Sequence, residues 1–192
     1  MRGIDMSALA PNAVILLVAP LFFVGIIGKV KGLWAGRRGP RLTQPFLDVG
    51  KLLGKGEVLS TTTSAVFRIA PSVELASALC AAALVPMAGG RAMLSFEGDL
   101  VLFAYLLAAG RFIGALAALD TGSSFAGMGS AREVLFSALA EPAFFLAVGT
   151  LALFGGTASF ASLFAALGSG DAWSWTAVGL CAAALFLVLL VE

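Results

Sequence analysis

Residues Lys29–Leu59 read KVKGLWAGRRGPRLTQPFLDVGKLLGKGEVL, a basic, glycine-punctuated stretch between two long apolar runs. It carries seven of the chain's 12 lysines and arginines: Lys29, Lys31, Arg37, Arg38, Arg41, Lys51 and Lys55. The surrounding chain is 60% hydrophobic and only 12% charged, with a mean hydropathy of +1.01. Soluble domains carry about 25% charged residues, so this chain must be solvated mainly by lipid. In such a chain a cluster of lysine and arginine sets topology, because basic loops stay on the cytoplasmic side of the membrane.

Working outward from that loop, membrane spans need about 20 mainly apolar residues. Five are expected, at about residues 8–28, 69–88, 99–119, 133–154 and 172–191, with a basic cytoplasmic loop over 29–68. The expected fold class is an all-α integral membrane protein with an interfacial amphipathic helix after the first span, in a single membrane domain over 1–192. The loop near Gly89–Gly98 holds only Arg91 and that of Gly155–Asp171 holds no basic residue, which puts both outside. The stretch Asp120–Arg132 is then inside, the N-terminus outside and the C-terminus inside. Trp173 and Trp175 open the fifth span at the outer surface, where indole rings settle. The first span reads as a retained helix: its apolar run is long, Arg2 alone precedes it as a basic residue, and no small-residue cleavage site follows.

Composition also excludes several classes of chemistry. The chain has no histidine, the commonest metal ligand and general base. Cys80 and Cys181 each lie inside an apolar run, and neither spacing nor setting suggests a disulfide framework, a zinc site or an iron–sulfur ligand set. No catalytic residue and no bound metal are expected. The net charge of +1 leaves local asymmetry as the informative electrostatic feature, and no nucleic-acid partner is expected.

Within the first loop, Thr43 can cap a helix whose first turn contains Pro45. Phe46, Val49, Leu52 and Leu53 follow at helical spacing, Asp48, Lys51 and Lys55 turn elsewhere, and Gly54 and Gly56 end the run. Two readings fit: a surface helix that only anchors the loop, or a platform between the bilayer and a soluble partner. Just before it, Arg37 and Arg38 sit between glycines and Pro40. They serve as a topology signal or as a bidentate grip on a partner's carboxylates.

Ionisable groups inside the spans are the sharper signal, since one at a helix centre costs about 2.5–3.5 kcal/mol to insert. Arg111 lies near the middle of the third span, Glu74 early in the second, and Glu141 eight residues into the fourth, about 12 Å from its inner end. Asp120, Arg132 and Glu133 line the inner mouths of spans three and four. Such a set is either a buried ion pair, for example Arg111 with Glu141, or a proton or charge relay. Glu133, Ser137 and Glu141 fall on one helix face, as a relay requires.

Two segments resemble a known family. Gly36–Leu59, GRRGPRLTQPFLDVGKLLGKGEVL, resembles the loop after the first helix of the complex I subunit 1 family. Ala118–Pro142, ALDTGSSFAGMGSAREVLFSALAEP, is closer to the hydrogenase branch of that family, which includes the membrane subunits of formate hydrogenlyase and hydrogenase-4. The resemblance implies a non-catalytic subunit of the inner (cytoplasmic) membrane. It would anchor the soluble arm of a multisubunit oxidoreductase and couple electron transfer to ion translocation. The implied partners are hydrogenase large and small subunits, iron–sulfur subunits and antiporter-like membrane subunits. The chain itself would bind no cofactor; a [NiFe] centre and iron–sulfur clusters would lie in those partners.

The resemblance assigns Arg132 and Glu141 to the ion route, with Glu74, Arg111, Asp120, Glu133 and Glu192 as the other relay candidates. It assigns Arg37 and Arg38 to the interface with the soluble arm, together with Arg41, Gln44, Pro45, Asp48 and Lys51. Family members usually continue with an acidic loop and further spans beyond the position of Glu192, so a truncated or split version is implied. Within the family, the rival is the quinone-site subunit of respiratory NADH dehydrogenase, where a quinone would bind under the first loop. Outside it, the rivals are a small ion-coupled transporter and a pure scaffold. No inverted repeat or matched pair of broken helices supports the transporter.

Overall fold

The computed structural model describes residues 6–87, 92–156, 158–167 and 172–191. Among these, seven helices follow in order: α1 (Met6–Trp34), α2 (Gln44–Leu53), α3 (Ala65–Leu84), α4 (Asp99–Asp120), α5 (Ser124–Gly155), α6 (Phe160–Leu167) and α7 (Ala172–Val191). The protein is an all-α membrane protein. By length and composition α1, α3, α4 and α5 can each cross a bilayer. The fifth expected span coincides with α7, which is 20 residues long and contains the apolar stretch Val178–Leu190.

Packing is inside out relative to a soluble protein. The buried apolar side chains of α3, α4 and α5 are mostly alanines (Ala70, Ala81, Ala104, Ala115, Ala140, Ala147), whereas large residues such as Leu75, Phe112, Leu139 and Leu146 face outward. Lipid tails are as apolar as leucine, so no hydrophobic force drives leucine inward, and small residues win the interfaces because they let backbones approach. Helix α3 packs along α4, α4 along α5, and α5 along both α6 and α7. Helix α1 packs on α2 and lightly on α3.

Three boundaries differ from expectation. Helix α1 runs six residues further than the expected span, so Lys29 and Lys31 are helical. Its end is a Schellman turn. Gly36 sits at φ +67°, the Arg37 amide donates to the Gly32 carbonyl at 2.9 Å, and the Gly36 amide donates to the Leu33 carbonyl at 3.0 Å.

Helix α3 begins at Ala65, so Arg68 lies in its first turn rather than in the loop. Ser64 caps it, its Oγ accepting from the Val66 amide at 3.2 Å. The largest difference is α5. The glycine- and serine-rich run expected as an inner loop is helical from Ser124, leaving only Thr121–Ser123 as the connection from α4. Small residues there bring α5 against α4, and the Ser130 hydroxyl donates to the Ala115 carbonyl at 3.1 Å.

Two further elements refine the loops. Helix α2 forms over the expected segment with Pro45 in its first turn, but the Thr43 side chain makes no capping bond, because its backbone is α-like (φ −85°, ψ 0°) rather than extended. Helix α6 was not expected at all. Ala88 and Arg91, at and after the end of the expected second span, and Glu192 lie outside the described residues.

Candidate functional site

Helix α4 organises the charged groups. Arg111, near its middle, lines two cavities. One, of about 500 Å³, lies between α3, α4 and α5 and is walled by Phe67, Pro71, Glu74, Gly114, Ser130 and Glu133 among others. The other, of about 280 Å³, lies between α4, α5 and α7 and is lined by Phe103, Tyr105, Glu141, Phe145 and Leu185 among others. Of the expected relay residues, Glu74, Arg111 and Glu133 therefore share one cavity, and Arg111 and Glu141 share the next.

Arginine stays protonated in proteins, so the groups that can change charge are the carboxylates on its two flanks. The Arg111 Nη1 atom is fully enclosed. A charge at this depth attracts more strongly than in water, because the surroundings are of low dielectric constant.

The continuous helix α5 carries Glu133 and Glu141 two turns apart, with Ser137 half-buried between them. Because α5 starts at Ser124, Glu141 is 17 residues along the helix, about 26 Å from its start. That is further along the helix than the 12 Å expected for a span beginning at Glu133. Pro142 follows directly; its ring nitrogen cannot donate, which frees the Ala138 carbonyl beside this acid.

Asp120 and Arg132 occupy different settings. The Asp120 carboxylate accepts from the Ser64 amide at 2.7 Å and the Phe67 amide at 3.2 Å, closing the N-terminus of α3 from the end of α4. Arg132 is exposed and lines neither cavity.

At the opposite end of α4, Asp99 is fully buried. It accepts from the Ser159 hydroxyl at 3.0 Å and from the Phe160 amide at 2.9 Å, at the start of α6. Helix α4 thus carries a carboxylate at each end that closes a neighbouring helix. This role was not visible in the sequence, because the groups that meet lie 61 and 56 residues apart.

The basic segment has its own geometry. Beyond the Schellman turn, the chain folds back along α1 over three glycines on one helix face, Gly25, Gly28 and Gly32. A Cβ at Gly32 would lie 2.5 Å from Gly39 Cα, one at Gly28 would lie 3.3 Å from Pro40 Cγ, and one at Gly25 would collide with the Leu42 carbonyl. The returning segment that bears Arg37, Arg38 and Arg41 is thereby packed against α1. The i, i+3, i+7 spacing of those glycines was the available signal.

On α2, Gln44 donates to Asp48 at 2.9 Å, so these two candidates share the polar face with Lys51. The apolar residues Leu52 and Leu53 are exposed, Leu53 to 84%, as is Trp34 at the end of α1, to 89%. Helix α2 thus leaves its apolar side uncovered beside the basic segment.

Against this geometry, the comparisons with known proteins are consistent with one another. The NADH dehydrogenase family model matches residues 7–192. The chain is 39% identical over 150 residues to hydrogenase-4 component C of Escherichia coli K12, covering 78% of this chain and 47% of that protein. It is 34% identical over 161 residues to formate hydrogenlyase subunit 4 of the same organism, covering 82% of this chain and 52% of that one. Among solved structures, a chain of the archaeal membrane-bound sulfane sulfur reductase, a respiratory membrane complex, superposes with a TM-score of 0.77 at 26% identity. That match covers 97% of this chain and 62% of the other. The chain spans about half the length of the curated relatives it matches. With a family model matched over almost its whole length and a shared helical fold, the chain belongs to the NADH dehydrogenase (complex I subunit 1-like) family.

Proposed function

We propose that the chain is the membrane-anchor and ion-coupling subunit of an energy-converting oxidoreductase of the [NiFe]-hydrogenase or formate hydrogenlyase type. The observation that carries this reading is the position of Arg111 between two cavities, with Glu74 and Glu133 in one and Glu141 in the other. The relatives named above supply the class of complex. A proton entering at Glu133 or Glu74 and leaving by Glu141 moves past one fixed positive charge. In this reading that charge offsets part of the cost of carrying carboxylates inside the bilayer.

Arg37, Arg38, Arg41, Gln44, Pro45, Asp48 and Lys51 form the contact with the soluble arm in this reading, on the cytoplasmic face of the inner membrane. Paired arginines suit carboxylates on that arm. The redox cofactors, a [NiFe] centre and iron–sulfur clusters, belong to partner chains. Those partners are the hydrogenase large and small subunits, iron–sulfur subunits and antiporter-like membrane subunits.

The test is purification of the chain from its native membrane in mild detergent, with mass spectrometry and metal analysis of what accompanies it. Nickel, iron and antiporter-like chains are the expected result. Flavin-containing NADH-oxidising subunits without nickel would assign it instead to the quinone-reducing branch, and a chain that purifies alone would overturn the proposal.

A further inference from the structure

Where helices α3 and α4 pack together, Glu74 lies beside two glycines of α4. A Cβ built on Gly114 would sit 2.7 Å from the Glu74 Oε1 and 3.5 Å from its carboxyl carbon. One turn earlier, a Cβ on Gly110 would sit 2.7 Å from the Ser77 Oγ and 3.8 Å from the Glu74 Cγ. The Ser77 hydroxyl is itself tied to the Glu74 carbonyl at 2.8 Å, which fixes the α3 side of the contact. Gly110 and Gly114 flank Arg111, and residues three apart on a helix are neighbours.

We infer that Gly110 and Gly114 are positioning residues. The missing side chain of Gly114 leaves a slot on α4 that holds the Glu74 carboxylate against the helix backbone, within the cavity that Arg111 and Glu133 share, and the missing side chain of Gly110 seats Ser77 one turn away. Two physical facts separate this role from ordinary helix packing. Alanine is the better helix former by about 1 kcal/mol, so Gly114→Ala does not weaken α4 itself. The atom that an added methyl meets is the far end of a flexible side chain rather than backbone, so the clash is relieved by rotating Glu74. The substitution therefore keeps the fold and moves the carboxylate.

The consequence for ion movement rests on the proposed function; the slot itself does not. The experiment uses native membranes containing the whole complex with Gly114→Ala, Glu74→Asp and the double variant. The first readout is the rate at which a hydrophobic carbodiimide modifies residue 74, followed by mass spectrometry of its peptide. The second is ion movement per electron transferred.

Gly114→Ala is expected to change the labelling rate and to lower ion movement by about tenfold to a hundredfold, the scale on which small misplacements act. Glu74→Asp, one methylene shorter, is expected to recover most of that loss when combined with Gly114→Ala, although each change alone is harmful. Altered labelling with unchanged ion movement would uphold the slot and refute the relay role of Glu74. Unchanged labelling in a normally assembled Gly114→Ala complex, or strictly additive effects in the double variant, would overturn the inference.

Discussion

Replacing Glu141 by glutamine tests the coupling reading most directly. Glutamine matches glutamate in size, and position 141 is half-buried in a cavity of about 280 Å³ lined mainly by apolar side chains. The change removes an ionisable group whose insertion at a helix centre costs about 2.5–3.5 kcal/mol, so the variant inserts at least as readily as the native chain. Arg111 still shares its other cavity with Glu74 and Glu133, so acidic groups remain around it. Folding and assembly are therefore expected to survive.

An amide does not release a proton near neutral pH, so a route through position 141 is interrupted. The expected fall in ion movement is about tenfold or more, equivalent to raising a barrier by about 1.4 kcal/mol. Electron transfer takes place in other chains and is expected to change by less than about twofold, under 0.5 kcal/mol. The assay is paired: ion accumulation in inside-out vesicles and the rate of the redox reaction in the same preparation. Equal losses of both would refute a specific coupling role for Glu141.

Three other expectations follow from the same geometry. Asp120→Asn keeps an oxygen that accepts from the Ser64 and Phe67 amides, so complex yield and ion movement are expected to stay normal, whereas Asp120→Ala lowers the yield; lost ion movement in a well-assembled asparagine variant would place Asp120 on the ion path. Gly32→Ala drives a methyl into backbone at Gly39, 2.5 Å away, an overpacking worth about 1–3 kcal/mol. Trypsin cleavage at Arg37–Arg38 in intact membranes should then rise, and unchanged cleavage would show that this segment is not held against α1.

Arg111→Met removes the sole basic side chain among the residues lining either cavity and should cut the yield of assembled complex. In a cycle with Glu141→Gln, measured by thermal stability in detergent, a coupling of about 0.5–3 kcal/mol is expected. Strict additivity would show that the two residues do not sense each other.

Much of the site was legible residue by residue. Arg111, Glu74 and Glu141 stand out because charges in apolar runs are costly, and that cost is a property of composition rather than of packing. The amphipathic α2 was readable from spacing alone, as was the end of its run at Gly54. The helical start of α5 was not. Glycine and serine lower local helix propensity, and the gain from close packing on α4, through Ser130 and the Ala115 carbonyl, exists only once α4 is in place. The cap at Asp99 escaped notice for the same reason, since its partner α6 lies across the loop that follows α5.

Sequence by itself determined that this chain lives in lipid, which loop is basic and which ionisable groups fall within apolar runs. These follow from the cost of transferring each residue into hydrocarbon, a sum over local composition. Tertiary structure decided which of those charges meet. Only the packing of α3, α4, α5 and α7 puts Arg111 between two cavities, turns Asp120 toward α3 and lays Glu74 against Gly114. Side chains on different helices become neighbours through the way small residues let backbones approach, and no window of sequence contains both partners.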